Sequence, residues 1–594
     1  MKFLRNLLAS ILGSIIGIGL LFFIGIIIIS AIAVATSGDN TVVKDNSVLV
    51  IKLNKPFVDR VQDNPFEEFD LPFFNNLSAY GLYNMKSKLE DAAKDPKIKG
   101  IYIDSSYGIM APYATTTEFR DLLKEFKKSG KFIYTYIENT ETKTYYLLSV
   151  SDSIVANPRG YIYFSGLTTE RTYFKNALDK VGVEVQVYKG RGNIYKSATD
   201  QYTRSSMSKE DRDQAVKYLG DIWGVIKEQI SSSRNISQND IQVIADDVAT
   251  FGNNEKALKS GLVDALKYKD QVIEDLKKLS DREEDDKLNL VSISDYKLTD
   301  SDEDLKKFSK DKIAIIFAQG AIVDNTMKTS EINPEKIARS IRKVREDENV
   351  KAIVLRVNSP GGSAYGSEVM WREIALAKEV KPVIVSMGDY AASGGYYMSC
   401  AGTKIIADKN TITGSIGIFA TIPNAKKLIQ DKIGVTSDYV STSKNGAPLS
   451  IMQPLTSFHK GMLETYINKG YDLFIQRVAE GRGMTKEAVH KIARGRVWSG
   501  QEAIKIGLVD KIGDLQDAIQ VAKEEAKAED AKIVTYPKNK DQISALLELS
   551  TEQIKVQLIE SMIGKDVFKV WNDVKSAKEM NGVYMMLPYK EEIN

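Results

Sequence analysis

Short apolar runs alternate with amphipathic stretches along most of the chain. Val48–Leu53 and Ile313–Phe317 are mostly apolar runs with the length of a buried strand. Glu118–Lys128 and Ser367–Lys378 space their apolar residues as amphipathic helices do. Because buried strands that alternate with helices are typical of parallel sheets with crossover connections, the pattern predicts an α/β fold.

The pattern is repeated within the chain. Lys99–Ile103 resembles Lys351–Leu355, roughly 250 positions later, and both read as buried strands. The tetrapeptide Gly-Leu-Val-Asp occurs late in each half, at Gly261–Asp264 and at Gly507–Asp510. Repeats in the same order predict two tandem α/β domains.

Charge and composition indicate the domain boundaries. We assign an N-terminal domain to residues 44–278 and a C-terminal domain to residues 311–540. The charge-rich segment 279–310 between them is predicted to be a linker with little core of its own. The remaining tail, residues 541–594, is mixed in character and predicted to be partly helical.

The amino terminus carries a long apolar segment, Leu7–Ala35. It exceeds the ~20 residues that span a bilayer, whereas the apolar region of a cleaved signal peptide has roughly 7–15. Ala31–Ala33 nevertheless resembles a cleavage site. We expect residues 1–36 to be a cytoplasmic stub and an uncleaved transmembrane anchor. Basic residues before the apolar run place the terminus in the cytoplasm and the bulk of the chain outside it.

Composition narrows the possible partners. Lysine and arginine (81) nearly balance aspartate and glutamate (79), so no nucleic-acid partner is implied. The single cysteine, Cys400, has small or apolar neighbours, which favours a buried packing role. We expect neither a cofactor nor a metal ion.

One serine lies in a favourable place for nucleophilic catalysis. The apolar strand Val383–Val385 runs into a turn of small residues that contains Ser393, where an acyl group could approach the hydroxyl. Upstream, Gly361 and Gly362 could offer a backbone N–H to a developing oxyanion.

Only the second half carries these features. By the internal repeat, Thr142 occupies the place of Ser393, and Ile109 and Met110 occupy the places of the two glycines. We therefore expect the nucleophile in the second half alone.

The general base is not evident from composition. Of the two histidines, His459 and His490, both have lysine neighbours and are predicted to be solvated. Ser-Lys dyads are a known alternative to the Ser-His-Asp triad, and the lysine must then have a pKa well below ~10.4. Lys196 has small or apolar neighbours, whereas Lys444 lies in a polar loop. The residues alone leave this choice open.

Three segments together resemble signal peptide peptidase A of the long, duplicated kind. They are Ser359–Ser363, Met387–Tyr397 and Thr413–Ile418, and the similarity extends over nearly the whole chain. The resemblance implies two tandem domains with the fold shared by the Clp protease and crotonases. One departure from some relatives is Asp389-Tyr390, which could narrow the site or face solvent.

The resemblance also implies roles for particular residues. Ser393 would be the nucleophile, and Lys196, in the motif Tyr-Lys-Ser-Ala, would be the general base. Gly362 and Gly394 would donate backbone N–H groups to the oxyanion. Ser415 would hydrogen-bond the lysine, or would simply be a turn serine.

The activity implied is that of a membrane-anchored serine endopeptidase that degrades remnant signal peptides. The expected location is the bacterial inner membrane, with the catalytic body on the periplasmic side and four copies forming a homotetramer. Two alternatives remain, a crotonase-like enzyme acting on acyl thioesters and a non-catalytic envelope scaffold.

Overall fold

A computed structural model of the chain describes residues 43–61, 79–248, 250–296, 309–326, 328, 330–537 and 582–586, together with Gly13 and Gly17. Within this part of the chain, no helix is long and apolar enough to cross a membrane. The predicted anchor in residues 1–36 lies outside the described residues, apart from the two glycines.

The first half of the chain forms a 6-stranded sheet with the strand order β8-β6-β5-β4-β1-β9. Every neighbouring pair in this sheet is parallel, as the alternation of strands and helices predicted. The strands of this half are β1 (Ser47–Lys52), β2 (Phe57–Val58), β3 (Tyr80–Gly81), β4 (Ile98–Ser105), β5 (Phe132–Glu141), β6 (Ser153–Tyr163), β7 (Glu184–Lys189), β8 (Ala265–Leu266) and β9 (Asn289–Ser292). Its helices are α1 (Leu82–Lys94), α2 (Tyr113–Lys127), α3 (Thr142–Leu148), α4 (Lys175–Val181), α5 (Asp200–Thr203), α6 (Lys209–Arg234), α7 (Gln238–Asp247), α8 (Asn254–Lys259) and α9 (Lys269–Leu279).

The second half repeats this arrangement in an 8-stranded sheet built on the order β17-β15-β13-β11-β10-β19, in which β14 also pairs with β13 and β18 pairs with β14. Its strands are β10 (Lys312–Gln319), β11 (Val350–Ser359), β12 (Gly361–Ser363), β13 (Val383–Ala392), β14 (Lys404–Ala407), β15 (Ile412–Gly414), β16 (Phe419–Asn424), β17 (Val497–Ser499), β18 (Lys511–Ile512) and β19 (Lys532–Tyr536). Its helices are α10 (Pro334–Glu346), α11 (Ala364–Lys378), α12 (Gly394–Ser399), α13 (Ser457–Arg482), α14 (Lys486–Ile492), α15 (Gly500–Ala503) and α16 (Leu515–Ala526). The α/β fold with parallel sheets and the tandem arrangement are thus confirmed.

The repeated Gly-Leu-Val-Asp motif closes each half in the same way. The guanidinium of Arg234 donates to the carboxylate of Asp264 (Nη1–Oδ2 3.2 Å), and that of Arg482 donates to Asp510 (Nη1–Oδ2 2.9 Å). Each aspartate also accepts a hydrogen bond from a backbone N–H of the sheet, at 2.7 Å in both halves. The motif is therefore a structural clasp that pins the last turn of a long helix to the sheet.

The segment 279–310 is more ordered than a linker with little core. Strand β9 pairs in parallel with β1 at the edge of the first sheet, and Val291, Ile293 and Tyr296 are buried in the first core. The many charged residues of this segment led to the prediction of a linker, although the short run that forms β9 can extend the edge of a sheet. Residues 297–308 lie outside the described part of the chain.

Buried polar contacts join the two halves. Arg356 on β11 is 2% exposed and forms ion pairs with Asp59 and Glu118 of the first half, each at 2.7 Å. Asp389 on β13 accepts hydrogen bonds from the N–H (2.8 Å) and the hydroxyl (2.6 Å) of Thr115 on α2. Because buried charges are tolerated only when they are paired, these contacts specify how the halves dock.

A small 4-stranded sheet draws on both halves and on the tail, in the order β12-β20-β16-β7. Its neighbouring strands are antiparallel. β20 (Gly582–Met586) belongs to the predicted tail 541–594, whose other residues lie outside the described chain. Since β7 pairs with β16, the segment that follows β7 is carried from the first half into the second.

Candidate active site

Ser393 lies at a sharp corner between β13 and α12. Its backbone has φ 56° and ψ −114°, a conformation that residues with a side chain rarely adopt. The N–H of Ser393 donates to the carbonyl oxygen of Gly414 on β15 (2.8 Å), which stabilises the corner. Small residues on both sides allow such a turn, as the sequence predicted, and the turn holds the hydroxyl at the end of the strand.

The lysine that the resemblance assigned lies beside this serine. Nζ of Lys196 is 2.7 Å from Oγ of Ser393, although the two residues are in different halves of the chain. The same Nζ is 2.8 Å from the carbonyl oxygen and 2.9 Å from the hydroxyl of Ser415. The structure therefore brings together three of the residues predicted for the site. Lys444, the other candidate, is exposed.

The surroundings of Lys196 disfavour its charged form. The side chain is fully buried, and burial, with a further contribution from the positive charge of Lys189, holds the pKa of Lys196 well below its usual value. Among the described residues, no carboxylate forms an ion pair with Lys196, whereas Lys189 is paired with Asp200 at 2.7 Å. A buried amine without a counter-charge is suited to act as a base near neutral pH.

The three contacts of Lys196 fit a neutral amine. A carbonyl oxygen can only accept, so one N–H of Lys196 points to the backbone of Ser415. The second N–H can donate to the Ser415 hydroxyl. The lone pair then faces the hydroxyl of Ser393, which can donate its proton across the 2.7 Å separation. The backbone of Ser415 is itself in the left-handed region, with φ 49°.

The predicted oxyanion donors lie close together. Gly361 and Gly362 have φ values of 100° and 155°. A Cβ added at Gly394 would lie 3.2 Å from the backbone nitrogen of Gly362 and would also meet the side chain of Ser367. The N–H groups of Gly362 and Gly394 thus belong to one crowded backbone junction beside Ser393, and their role as oxyanion donors stays a prediction.

Strand β20 lies along this junction. Gly362 of β12 is opposite Met585, and Ala420 of β16 is opposite Val583. A Cβ added at Gly361 would lie 2.0 Å from the carbonyl oxygen of Met585 and would collide with it. The cleft between β12 and β16 therefore accommodates an extended chain that hydrogen-bonds to both sides.

A turn that sequence reasoning missed holds Lys196 in place. Gly495 has φ 81°, and a Cβ there would lie 2.6 Å from Cβ of Lys196. On one side of Gly495, the carbonyl of Arg494 accepts from the N–H of Tyr195 (3.1 Å). On the other side, the carbonyl of Arg496 accepts from the N–H of Ser415 (2.7 Å). A glycine between two arginines gives no local hint of this role.

The structure argues against the two histidines and the cysteine as the base or the nucleophile. His459 is buried, which contradicts its predicted solvation, while His490 is exposed and its Nδ1 is 2.9 Å from the hydroxyl of Tyr471. Neither histidine hydrogen-bonds Ser393 in the described structure. Cys400 is buried as expected, and burial raises the pKa of its thiol to about 12.

Asp389, the first residue of the Asp389-Tyr390 departure, does not face solvent, so that prediction is wrong for it, while the narrowing of the site by this pair stays a prediction. Asp389 is 5% exposed, and its carboxylate is held by Thr115 and by the side-chain amide of Asn358 (3.1 Å). Burial raises the pKa of this carboxyl group, and the hydrogen bonds oppose that shift. The residue docks the serine strand onto the first half, a contact that only the tertiary structure reveals.

Comparison with known proteins places the chain among peptidases. The family model described as "Peptidase family S49" matches residues 125–283 and 375–529, one stretch in each half. "Protease 4" of Haemophilus influenzae is 38% identical over 73% of this chain and 71% of its own length. "Protease 4" of Salmonella typhi is 35% identical over 84% of this chain and 82% of its own length. "Serine protease SPPA, chloroplastic" of Arabidopsis thaliana is 34% identical over 90% and 76%.

Proposed function

The chain belongs to peptidase family S49 and is a serine protease, and we propose that it cleaves peptide bonds with a dyad of Ser393 and Lys196. The observation that carries this proposal is the 2.7 Å contact between the Lys196 amine and the Ser393 hydroxyl. The burial of Lys196 without a carboxylate partner supports its role as the base. We further propose that each half has the Clp- and crotonase-like fold.

The reaction begins when neutral Lys196 takes the proton of the Ser393 hydroxyl. The serine oxygen forms a bond to the carbonyl carbon of the substrate, and the carbonyl oxygen becomes an oxyanion. The N–H groups of Gly362 and Gly394 stabilise that charge. The new ammonium is held by the carbonyl and the hydroxyl of Ser415.

The carbon–nitrogen bond then breaks, and the leaving amine receives the proton from Lys196. The acyl group stays on Ser393 as an ester. A water molecule next gives its proton to Lys196 and attacks the ester carbon. When the ester bond breaks, Ser393 recovers the proton and the free enzyme is restored.

We propose that the substrates are remnant signal peptides and that the protein is anchored in the bacterial inner membrane with its body in the periplasm. The apolar segment Leu7–Ala35 supports the anchor. The cleft between β12 and β16, which β20 fills in the structure, suits an extended peptide that takes the place of β20, because strand addition satisfies its backbone groups on both sides.

We also propose a homotetramer. The segment that follows β16 carries apolar side chains in solvent, among them Leu449 and Val440, which is 99% exposed. Exposed apolar residues of this kind are typical of surfaces that associate. Light scattering on the body from about Lys44 onward should give four times the mass of that body, and any smaller assembly at micromolar concentration would contradict the proposal.

The two alternative functions are disfavoured. Membership of a peptidase family, with serine proteases among the relatives, argues against an acyl-thioester enzyme and against a scaffold. The presence of both Ser393 and Lys196 at one site argues against a scaffold independently.

The dyad is tested with a fluorogenic peptide that carries an apolar residue before the scissile bond. Lys196→Ala is expected to lower kcat/KM by about 1,000-fold or more. Lys444→Ala, which changes an exposed lysine, serves as the matched control and is expected to behave as the wild type.

The pH dependence of the wild type is a second test. Since Lys196 must be neutral, kcat/KM should rise with pH through the lowered pKa of this residue. Full activity of Lys196→Ala, or a profile that is flat from about pH 6 to 9, would reject the lysine as the base.

A further inference from the structure

A buried glutamine on α6, Gln214, links the loop of Lys196 to the strands of the second half. This helix begins at Lys209, and the hydroxyl of Ser208 caps it by accepting from the N–H of Asp211 (3.1 Å). Asp211 and Gln214, three residues apart on one face of this helix, point inward, where they are 0% and 2% exposed. Long polar side chains are rarely buried to this degree unless their hydrogen bonds are satisfied.

The amide nitrogen of Gln214 holds both neighbours of Lys196. Nε2 lies 3.2 Å from the carbonyl oxygen of Tyr195 and 3.2 Å from the hydroxyl of Ser197. It also lies 3.1 Å from Oδ1 of Asp211, which accepts from the Ser197 hydroxyl at 2.8 Å. These contacts leave the loop little freedom on either side of the lysine.

The amide oxygen of Gln214 contacts the other half of the chain. Oε1 accepts from the N–H of Val497 at 3.3 Å. Val497 on β17 is opposite Gly414 on β15, and the carbonyl of Gly414 accepts from the N–H of Ser393. One side-chain amide thus connects the backbone around Lys196 with β17, whose neighbour β15 ends just before Ser415 and accepts from the N–H of Ser393.

We propose that Gln214 is a positioning residue that sets the separation between the Lys196 amine and the Ser393 hydroxyl by tying the lysine loop to β17. The proposal rests on the dyad proposed above. Gln214 lies behind the lysine and acts on the reaction only through the placement of Lys196.

Charged groups around Lys196 also influence its pKa, so a test based on pH must leave them unchanged. Lys189 on β7 is paired with Asp200 on α5, and Asp211 on α6 faces Arg171, with a nitrogen–oxygen distance of 3.9 Å. The turn beyond Gly495 adds Arg496, whose guanidinium lies over the ring of Tyr195. Substitution of Gln214 by methionine leaves all of these charges in place and changes only the neutral link.

The experiment compares Gln214→Met with Gln229→Met in the otherwise intact protein. Gln229 lies on the same helix, but its amide oxygen accepts from Arg120 and Tyr146 within the first half, each at 2.9 Å. Both variants lose hydrogen bonds of a glutamine side chain. Only Gln214→Met loosens the lysine loop.

For Gln214→Met, we expect kcat to fall by about 10-fold to 100-fold with KM nearly unchanged, because the dyad is misplaced while the cleft is intact. Water that enters beside the loosened amine should raise the pKa of Lys196, and the acidic limb of kcat/KM should move to higher pH. Gln229→Met should retain the wild-type kcat and pH profile, whatever its melting temperature.

The proposal would be overturned if Gln214→Met left both kcat and the acidic limb of the kcat/KM profile unchanged. It would also be overturned if Gln229→Met changed kcat and moved that limb by the same amount. If Gln214→Met does not fold, Ser197→Ala carries the test, because it removes the hydroxyl that links Asp211 and Gln214. A smaller shift in the same direction is expected there, and no shift would reject the role. Activity that survives Lys196→Ala would instead reject the dyad itself, so the two failures are distinguishable.

Discussion

The corner after β5 in the first half and the corner after β13 in the second occupy equivalent places but use their hydroxyl groups differently. In the first half, Oγ1 of Thr142 donates to the carbonyl oxygen of Ser165 and accepts from its N–H, both at 2.8 Å. In the second half, Oγ of Ser393 is hydrogen-bonded to the amine of Lys196. The hydroxyl of Thr142 therefore uses its hydrogen bonds to hold the backbone of Ser165, whereas the hydroxyl of Ser393 contacts an amine that could remove its proton.

The loop that contains Met110 in the first half also differs from the loop in the second half that contains Gly362, the predicted oxyanion donor. Isolated parallel bridges join Pro56 to Met110 in the first half and Ile322 to Gly362 in the second, so Met110 and Gly362 are structural equivalents. Gly362 has φ 155°, a value that favours glycine. Met110, at the equivalent place in the first half, carries a side chain that is 47% exposed. The two halves therefore share one scaffold, but Ser393 and Gly362 lie in the second half and Lys196 lies in the first.

The largest effect expected from this comparison comes from removing the two hydroxyls. Ser393→Ala should lower kcat/KM by about 1,000-fold or more, since it removes the proposed nucleophile. Thr142→Val should leave activity intact and lower the free energy of unfolding by about 1–3 kcal/mol, because the backbone of Ser165 loses its partners. Peptide cleavage and denaturant unfolding measure the two effects. Loss of activity in folded Thr142→Val would mean that the first corner takes part in catalysis.

A smaller effect is expected at the donor loops. A Cβ at Gly362 would collide with the carbonyl oxygen of Ile322, so Gly362→Ala must displace the loop. We expect kcat to fall by about 100-fold, as on loss of one oxyanion donor. Met110→Ala is the matched change in the first half, and steady-state kinetics should show no effect. Equal kinetics for the two variants would remove Gly362 from the oxyanion site.

The smallest effect concerns the stability cost of the lysine. In the unfolded chain Lys196 has a pKa of ~10.4, and burial lowers that value in the folded protein. Between these two pKa values the unfolded state binds more protons, so folding is penalised increasingly as pH falls. The penalty is complete below the folded pKa and vanishes above ~10.4.

Lys196→Met should therefore be inactive yet raise the melting temperature by about 2–4 °C at pH 6, for about 1 kcal/mol of stabilisation. The gain should shrink towards pH 10, and Lys444→Met should show neither change. Calorimetry at the two pH values measures this, and a gain that is independent of pH would show that burial of the amine is not the cause.

Most of the fold was predictable from the sequence because strands, helices and turns depend on residues close together in the chain. The run Val383–Val385, the small residues around Ser393 and the repeated Gly-Leu-Val-Asp each carry their own local signal. The edge strand β9 was missed because charged neighbours obscured it, and β20 was missed because the mixed sequence of the tail predicted partial helix.

The candidate site likewise has features that the sequence determined and features that only the tertiary structure decided. By itself the sequence determined the α/β repeat and the corner of small residues around Ser393, and only a family resemblance selected Lys196 over Lys444. The tertiary structure decided which amine lies within 2.7 Å of Ser393, where Asp389 points and what Gln214 connects. These facts depend on contacts between residues far apart in the chain. The free energies of burial and hydrogen bonding that select such contacts exist only once both halves are folded against each other.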